Sequence, residues 1–389
     1  MAPAGPIADF EPLAGVLTHA RLDETVPSLD RRLDRMLGAR HFVDRYDPCG
    51  ADPGPDCGHW PKDGMTLWAR DYAPIYVRRA DGRLKIVSTL SANPNRTHDL
   101  EVAERTPTHP LFAMLHPAAG VPTPEIVKLP LLHENGNLVT DGRHLFVSER
   151  LIEDNTTAPR DRDIEREGFR VRTRDEVLSM WAAALERPVS QVVVLPQMPG
   201  EQAGHVDMFL MALDADTLLV PEIPPEALRV AIPGVERKVA FEAASFLSKV
   251  VAELQAQGFF VERLPMLPAQ VLPAGDNRSG SQSGVYVSPT NALLLSLGGE
   301  RRVLLPQVRF KGRPAAQETL RRKYERAWAT FFAQRGWTPE AIDVTEAAVR
   351  RGLVRCLTST VPEAAWHKAD QIGARRAGAD EPPHVRGVR

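Results

Sequence analysis

The chain of 389 residues lacks any apolar run of about 18 residues, the length a membrane-crossing helix needs. It also lacks an excess of charge. Lys and Arg number 48 against 50 Asp and Glu, a formal net charge of −2. That balance argues against a nucleic-acid partner, which calls for a basic face able to displace counterions. The opening stretch MAPAGPIADFEPLAGVLTHARLDE has no basic segment followed by an apolar core, so no secretory leader is expected and the cytoplasm is the expected location. No literal repeat and no linker divide the sequence. A single domain is therefore expected over 1–366. Residues 367–389 carry little apolar content and read as a flexible tail.

Cysteine is scarce, at three residues. Cys49 and Cys57 share the Pro- and Gly-rich stretch DPCGADPGPDCGHW. Their spacing is not the paired C-x-x-C of a zinc site, so they read as loop thiols, or as a local disulfide in an oxidising compartment. This loop, 47–61, precedes Asp71 and is placed to cover an entrance there. Cys356 stands alone, and an isolated cysteine is by default a small buried hydrophobe. No metal site and no cofactor are expected.

What the chain does contain suits a large core: 43% hydrophobic residues, with 34 prolines that imply many turns and short elements. APIYVRRADGRLKIVS reads as two strands about a DG turn, and HLFVSERLI follows a second DG. TRDEVLSMWAAALE reads as a helix opened by a capping box, Thr173 with Glu176, burying Val177, Trp181, Ala184 and Leu185. QVVVLP is a strand, MFLMALDADTLLVP and NALLLSLGGERRVLLP are hairpins, and KVAFEAASFLSKVVAELQAQG is a helix followed by the strand FFVERLP. In ETLRRKYERAWATFFAQRG the stripe Leu320, Tyr324, Ala327, Trp328 and Phe331 faces the core. The grammar is strand, strand, helix, strand, repeated, in an α/β chain.

Chemistry-bearing residues gather at strand edges, where sites tend to collect. His205 and Asp207 stand two apart in a stretch read as strand, which would point both to one face. Trp68, Arg70 and Asp71 precede the first DG hairpin, and His133 and Glu134 end an apolar run. Cys356 lies in a short β-like stretch after Gly352. Carboxylates, a histidine and a thiol together suit a planar cationic electrophile. A guanidinium fits: its N–H fork matches carboxylates, and its sp² carbon is open to a thiolate.

Several segments resemble the agmatine deiminase and bacterial peptidylarginine deiminase family of guanidine-modifying enzymes. W-A-R-D-Y-A-P at 68–74 is similar to that family's W-x-R-D-x-G-P, and H-E-N-G-N-L-V-T-D-G at 133–142 to its E-G-G-N-x-x-x-D-G. G-H-V-D-M-F at 204–209 resembles G-H-[IV]-D, and C-L-T-S-T-V-P at 356–362 resembles the family's nucleophile segment. T-N-A-L-L-L-S with V-L-L-P downstream, and DFEPLAGVLT near the start, add to the likeness. The resemblance implies an α/β propeller of five ββαβ-type modules about a pseudo-fivefold axis, a pentein-like fold with its site in the central channel.

It implies roles as well. Cys356 would form a covalent amidino intermediate and His205 would be the general acid and base. Asp71 and Asp207 would grip guanidinium nitrogens. Glu134 would contact the guanidinium or orient His205. Trp68, Asn291 and Arg70 would contribute to substrate binding. The partner would be a small guanidino compound or an arginine-containing peptide, with no nucleic acid and no membrane; a homo-oligomer stays open. The implied reaction is hydrolysis to a ureido product and ammonia. The alternatives are amidino transfer through the same intermediate, a non-catalytic propeller that binds, and a metal hydrolase using His133, Glu134, His205 and Asp207. Four positions depart from the family pattern: Ala73, Asn135, Pro289 and the segment R-R-G-L-V-R before Cys356. Arg355, next to the cysteine, would point away from it if the two shared a strand.

Overall fold

The computed structural model describes residues 4–19, 22–44, 68–91, 123–158, 169–201, 203–230, 235–271, 284–310, 313–350 and 352–363. The loop 47–61 with Cys49 and Cys57, and the tail 367–389, lie outside the described residues.

The elements follow the expected grammar. β1 (Gly5–Pro6), β2 (Leu13–His19) and β3 (His41–Asp44) come first, with α1 (Leu22–Thr25) and α2 (Pro27–Leu37) between the last two. After α3 (Ala69–Tyr72), β4 (Ile75–Arg78) and β5 (Leu84–Ser91) form the first hairpin, turning at Gly82 with φ +76, and β6 (Glu125–His133) joins β5. Then come β7 (Leu138–Thr140), β8 (Leu145–Ser148), α4 (Glu149–Thr156), α5 (Arg174–Ala184) and β9 (Val192–Leu195). The next group is β10 (Met211–Ala212), β11 (Thr217–Glu222), α6 (Pro225–Val230), α7 (Val235–Ala256) and β12 (Phe260–Pro265). A small pair, β13 (Gln270–Val271) with β14 (Gly284–Val285), precedes β15 (Leu293–Leu297), β16 (Glu300–Gln307), α8 (Ala315–Gln334) and β17 (Thr338–Asp343). The last elements are α9 (Thr345–Val349) and β18 (Thr358–Pro362).

Among the described residues one pairing pattern recurs five times: an antiparallel pair, then a parallel strand. It is built by β4-β5-β6, β7-β8-β9, β10-β11-β12 and β15-β16-β17. The fifth copy takes strands from both ends of the chain, with β18 antiparallel to β2 and β3 parallel to it. Thr358 lies opposite Thr18 and Ser359 opposite Leu17. A parallel partner needs a crossover, and helices supply it in four of the copies, α1 and α2, α4 and α5, α6 and α7, and α8.

The helices cover the sheets for the reasons their patterns suggest. Thr173 Oγ1 accepts the Glu176 N–H at 3.2 Å and Glu176 Oε2 accepts the Thr173 N–H at 2.8 Å, so the capping box forms as expected. Behind it Val177, Trp181 and Ala184 are buried. In α8 the buried row is Tyr324, Trp328 and Phe332 rather than one ending at Phe331. A strict four-residue spacing continues to Phe332. Phe331 is half-buried and carries the Arg335 guanidinium 3.6 Å above its ring.

Candidate active site

The stretch that carries His205 is not a strand. Gly204 adopts φ +69, and Val206–Met208 form a 3-10 turn for which His205 is the N-cap. Residues two apart on such a turn diverge, unlike those on a strand. His205 therefore opens onto a cavity, whereas Asp207 is wholly buried behind it.

The cavity encloses about 240 Å³. Five residues nominated from sequence meet on its wall: Trp68, Asp71, Glu134, His205 and Cys356. They come from separate modules. Trp68 and Asp71 belong to the short turn of α3, which is tied to the cysteine loop by the Arg70 N–H donating to the Cys356 carbonyl at 3.3 Å. Glu134 follows β6, and Cys356 sits on the turn that leads into β18, not in a strand. Trp68 packs flat enough on Gly352 that a Cβ there would lie 2.2 Å from its ring.

His205 Nε2 is 2.9 Å from Glu134 Oε2, and the imidazole is only 6% exposed. Burial by itself would lower its pKa. The hydrogen bond His205 donates to Glu134 and the charges of Asp71, Glu134 and Glu201 outweigh that and push it up to about 10. At neutral pH the group is an imidazolium between carboxylates. Donor atoms of Asp71, Glu134 and His205 lie within 4.8 Å of one another, a spacing that also suits a cation. Two carboxylates beside an imidazolium also match a cation that donates hydrogen bonds. Gly136 makes the arrangement fit: a Cβ at that position would lie 2.2 Å from His205 Nδ1.

The thiol lies in a different field. Burial first, then the charges of Asp207 and Asp71, push the Cys356 pKa well above the ordinary thiol range; the Asn291 side chain and a backbone hydrogen bond at Leu353 pull the other way. Asn291, fully buried, places Nδ2 3.3 Å from Sγ and accepts the Arg355 N–H on Oδ1 at 3.1 Å. The resting thiol is thus protonated at neutral pH. Its alkylation by iodoacetamide should rise about tenfold per pH unit between about pH 7 and 9 without levelling, because the thiolate is the form that reacts. Asp207→Asn removes one of the raising charges and releases two guanidinium groups toward the sulfur. Alkylation of that variant should be faster than wild type at equal pH, followed by mass spectrometry of the Cys356 peptide. A slower rate would show that Asp207 does not act on the thiol through its charge.

Arg70 and Asp207 do not reach the cavity wall. Arg70 Nε lies 3.1 Å from Asp207 Oδ2, too poorly aligned for a hydrogen bond, and its Nη2 lies 3.4 Å from Asp9 Oδ2. Arg355 is buried as well. It pairs with Asp9 and places Nε 3.8 Å from Asp207. The expectation that Arg355 points away assumed a strand; on the turn it instead joins two arginines to two aspartates beneath the thiol. Sequence reasoning had the Asp9 segment only as a resemblance, since no local pattern foretells a partner at the far end of the chain.

His133 also stays out of the wall. Its Nε2 lies 2.8 Å from Asn135 Oδ1, and its ring meets Trp181 edge-on at 4.6 Å. Burial pulls its pKa down to about 3, against the Asn135 hydrogen bond, so it is neutral. The metal set of His133, Glu134, His205 and Asp207 is accordingly not brought together. Two departures from the family pattern turn out to touch: Asn135 Nδ2 donates to the Ala73 carbonyl. Pro289 opens the short turn Pro289–Asn291. The polar lining residues not nominated from sequence include Glu201, Tyr286 and Arg350. Glu201 accepts the Ala203 N–H at 3.1 Å and the His205 N–H at 3.0 Å, and its place four residues before His205 was the available signal. Tyr286 donates to the Pro199 carbonyl at 2.6 Å.

No family profile and no curated protein matches the chain. Solved structures do. The substrate-bound agmatine deiminase of C. jejuni superposes with a TM-score of 0.56 at 12% identity, covering 92% of this chain and 96% of that one. The agmatine deiminase of Enterococcus faecalis gives 0.56 at 13% identity, over 93% and 96%. A provisionally assigned arginine deiminase from Porphyromonas gingivalis gives 0.60 at 17% identity, over 93% and 99%. Likeness at these identities establishes the fold: the chain has the mixed α/β pentein fold of these proteins.

Proposed function

We propose that the chain is a guanidino-group hydrolase, a deiminase working through a covalent Cys356 intermediate. One observation carries the reading: a thiol, an imidazole and three carboxylates, Asp71, Glu134 and Glu201, share the wall of one cavity. Asp71 and Glu134 match the N–H fork of a guanidinium. Asp207, held by Arg70 and Arg355, acts on the thiol by charge, which leaves Asp71 as the acid that meets the substrate nitrogens.

Substrate binding lowers the thiol pKa. A bound guanidinium adds a full positive charge beside the imidazolium, both favour the thiolate, and the thiol proton leaves to solvent. Sγ then attacks the central guanidinium carbon. His205, already protonated and buried, gives its proton to the departing nitrogen, and ammonia leaves. An amidino thioether remains on Cys356. Neutral His205 takes a proton from water as the water attacks the same carbon, the C–S bond breaks, and a ureido product departs. Glu134 holds the imidazole in place throughout, through its 2.9 Å contact with Nε2.

The test is incubation with agmatine, free arginine and arginine-containing peptides, measuring ammonia and ureido product together. Equal amounts of the two are expected from at least one of these compounds, and acid-quenched protein should carry a mass adduct on Cys356. Turnover that yields a new guanidino compound from an added amine, with no ammonia, would replace hydrolysis by amidino transfer. Neither product from any guanidino compound would sink the proposal.

A further inference from the structure

One charged side chain on the cavity wall has no part in that chemistry. Arg350 caps the end of α9, its backbone N–H donating to Ala347 at 2.9 Å. The residue lines the cavity beside Gly352 and Leu353, on the stretch that runs into Cys356. It is exposed, and among the described residues its guanidinium makes no hydrogen bond or ion pair. The acids on the wall are differently engaged. Asp71 and Glu134 converge on His205, and Glu201 accepts two backbone N–H groups of the loop ahead of it. A substrate with a second cation at its far end, such as agmatine, would meet a like charge at Arg350, and no hydrogen-bond acceptor on that side chain. A substrate with an anionic end would meet a planar fork that binds a carboxylate through two parallel hydrogen bonds.

We propose that Arg350 is a carboxylate-binding residue, so that the preferred substrate carries a guanidinium at one end and a carboxylate at the other. Free arginine and other guanidino acids fit this description. Agmatine does not, and neither does an arginine within a peptide chain. The inference rests on the deiminase reading and narrows it.

Three compounds separate the two claims: L-arginine, γ-guanidinobutyrate, which keeps the carboxylate without the α-amine, and agmatine, which keeps an amine without the carboxylate. Wild-type kcat/KM should be at least about tenfold higher for both carboxylates than for agmatine. Arg350→Gln should lose about 10- to 100-fold on the carboxylates, mostly in KM, as expected for one charge-assisted pair, and leave agmatine unchanged or improved. Agmatine turned over as well as arginine by the wild type, or an arginine KM unmoved in Arg350→Gln, would overturn the assignment. If none of the three releases ammonia, the deiminase reading falls by itself. Equilibrium binding of the same compounds to Cys356→Ser protein, with and without Arg350→Gln, then still decides: tighter arginine than agmatine, lost on substitution, upholds the carboxylate site, and equal binding removes it.

Discussion

Cys356→Ala should abolish ammonia release, with a fall on the order of 10⁴-fold or more, while the protein stays folded. Loss of a nucleophile removes the covalent route altogether, and what survives comes from binding and electrostatics alone. The side chain is small and buried, and alanine leaves a modest void, costing about 1 kcal/mol or a little more. The thermal midpoint should therefore move by only a few degrees. The mass adduct formed with a guanidino compound should vanish together with the activity. A variant that retains ammonia release at the wild-type rate would place the chemistry on another group, with Asp71 and Glu134 the next candidates on the same wall.

The second large effect comes from a residue with no side chain. Gly136→Ala builds a methyl 2.2 Å from His205 Nδ1 and 2.5 Å from its Cγ, an overlap no real contact tolerates. The backbone at Gly136 is not left-handed, so alanine itself is not strained there. The imidazole must move, and it is buried, so the 2.9 Å contact with Glu134 breaks as it does. Ammonia release should fall by about 10²- to 10⁴-fold, the usual worth of a general acid-base group. Overpacking should cost about 1–3 kcal/mol of stability. Wild-type turnover in this variant would mean that His205 has more freedom than its surroundings indicate.

Local features were legible in the sequence because their causes are local. Gly82 in the Asp81-Gly82 pair, and both Gly298 and Gly299, adopt positive φ and turn the hairpins where expected. The capping box, the apolar stripes and the order of strand, strand, helix, strand required only neighbours a few residues apart. The wall residues Trp68, Asp71, Glu134, His205 and Cys356 were visible as short motifs. The fivefold count of the strand pattern came only through the family resemblance, because backbone pairing repeats while the side chains that fill each module differ. His205 and Asp207 looked like strand residues amid apolar neighbours, and one positive φ at Gly204 was enough to separate them. Arg70, Arg355 and Asp207 drew attention by their motif neighbours, yet both arginines bury against Asp9, near the start of the chain, with Asp207 beside them. Long-range charge pairing of that kind leaves no periodic trace.

The pairing of β18 with β2 has a consequence for biosynthesis. The cysteine lies on the turn just ahead of a strand that zips onto the earliest full-length strand of the chain. A nascent polypeptide can assemble the middle modules as they leave the ribosome, but the module of β2 and β3 remains open at one edge until β18 has emerged. Under the proposed mechanism, the nucleophile is thus seated after the imidazole and the carboxylates it would work with.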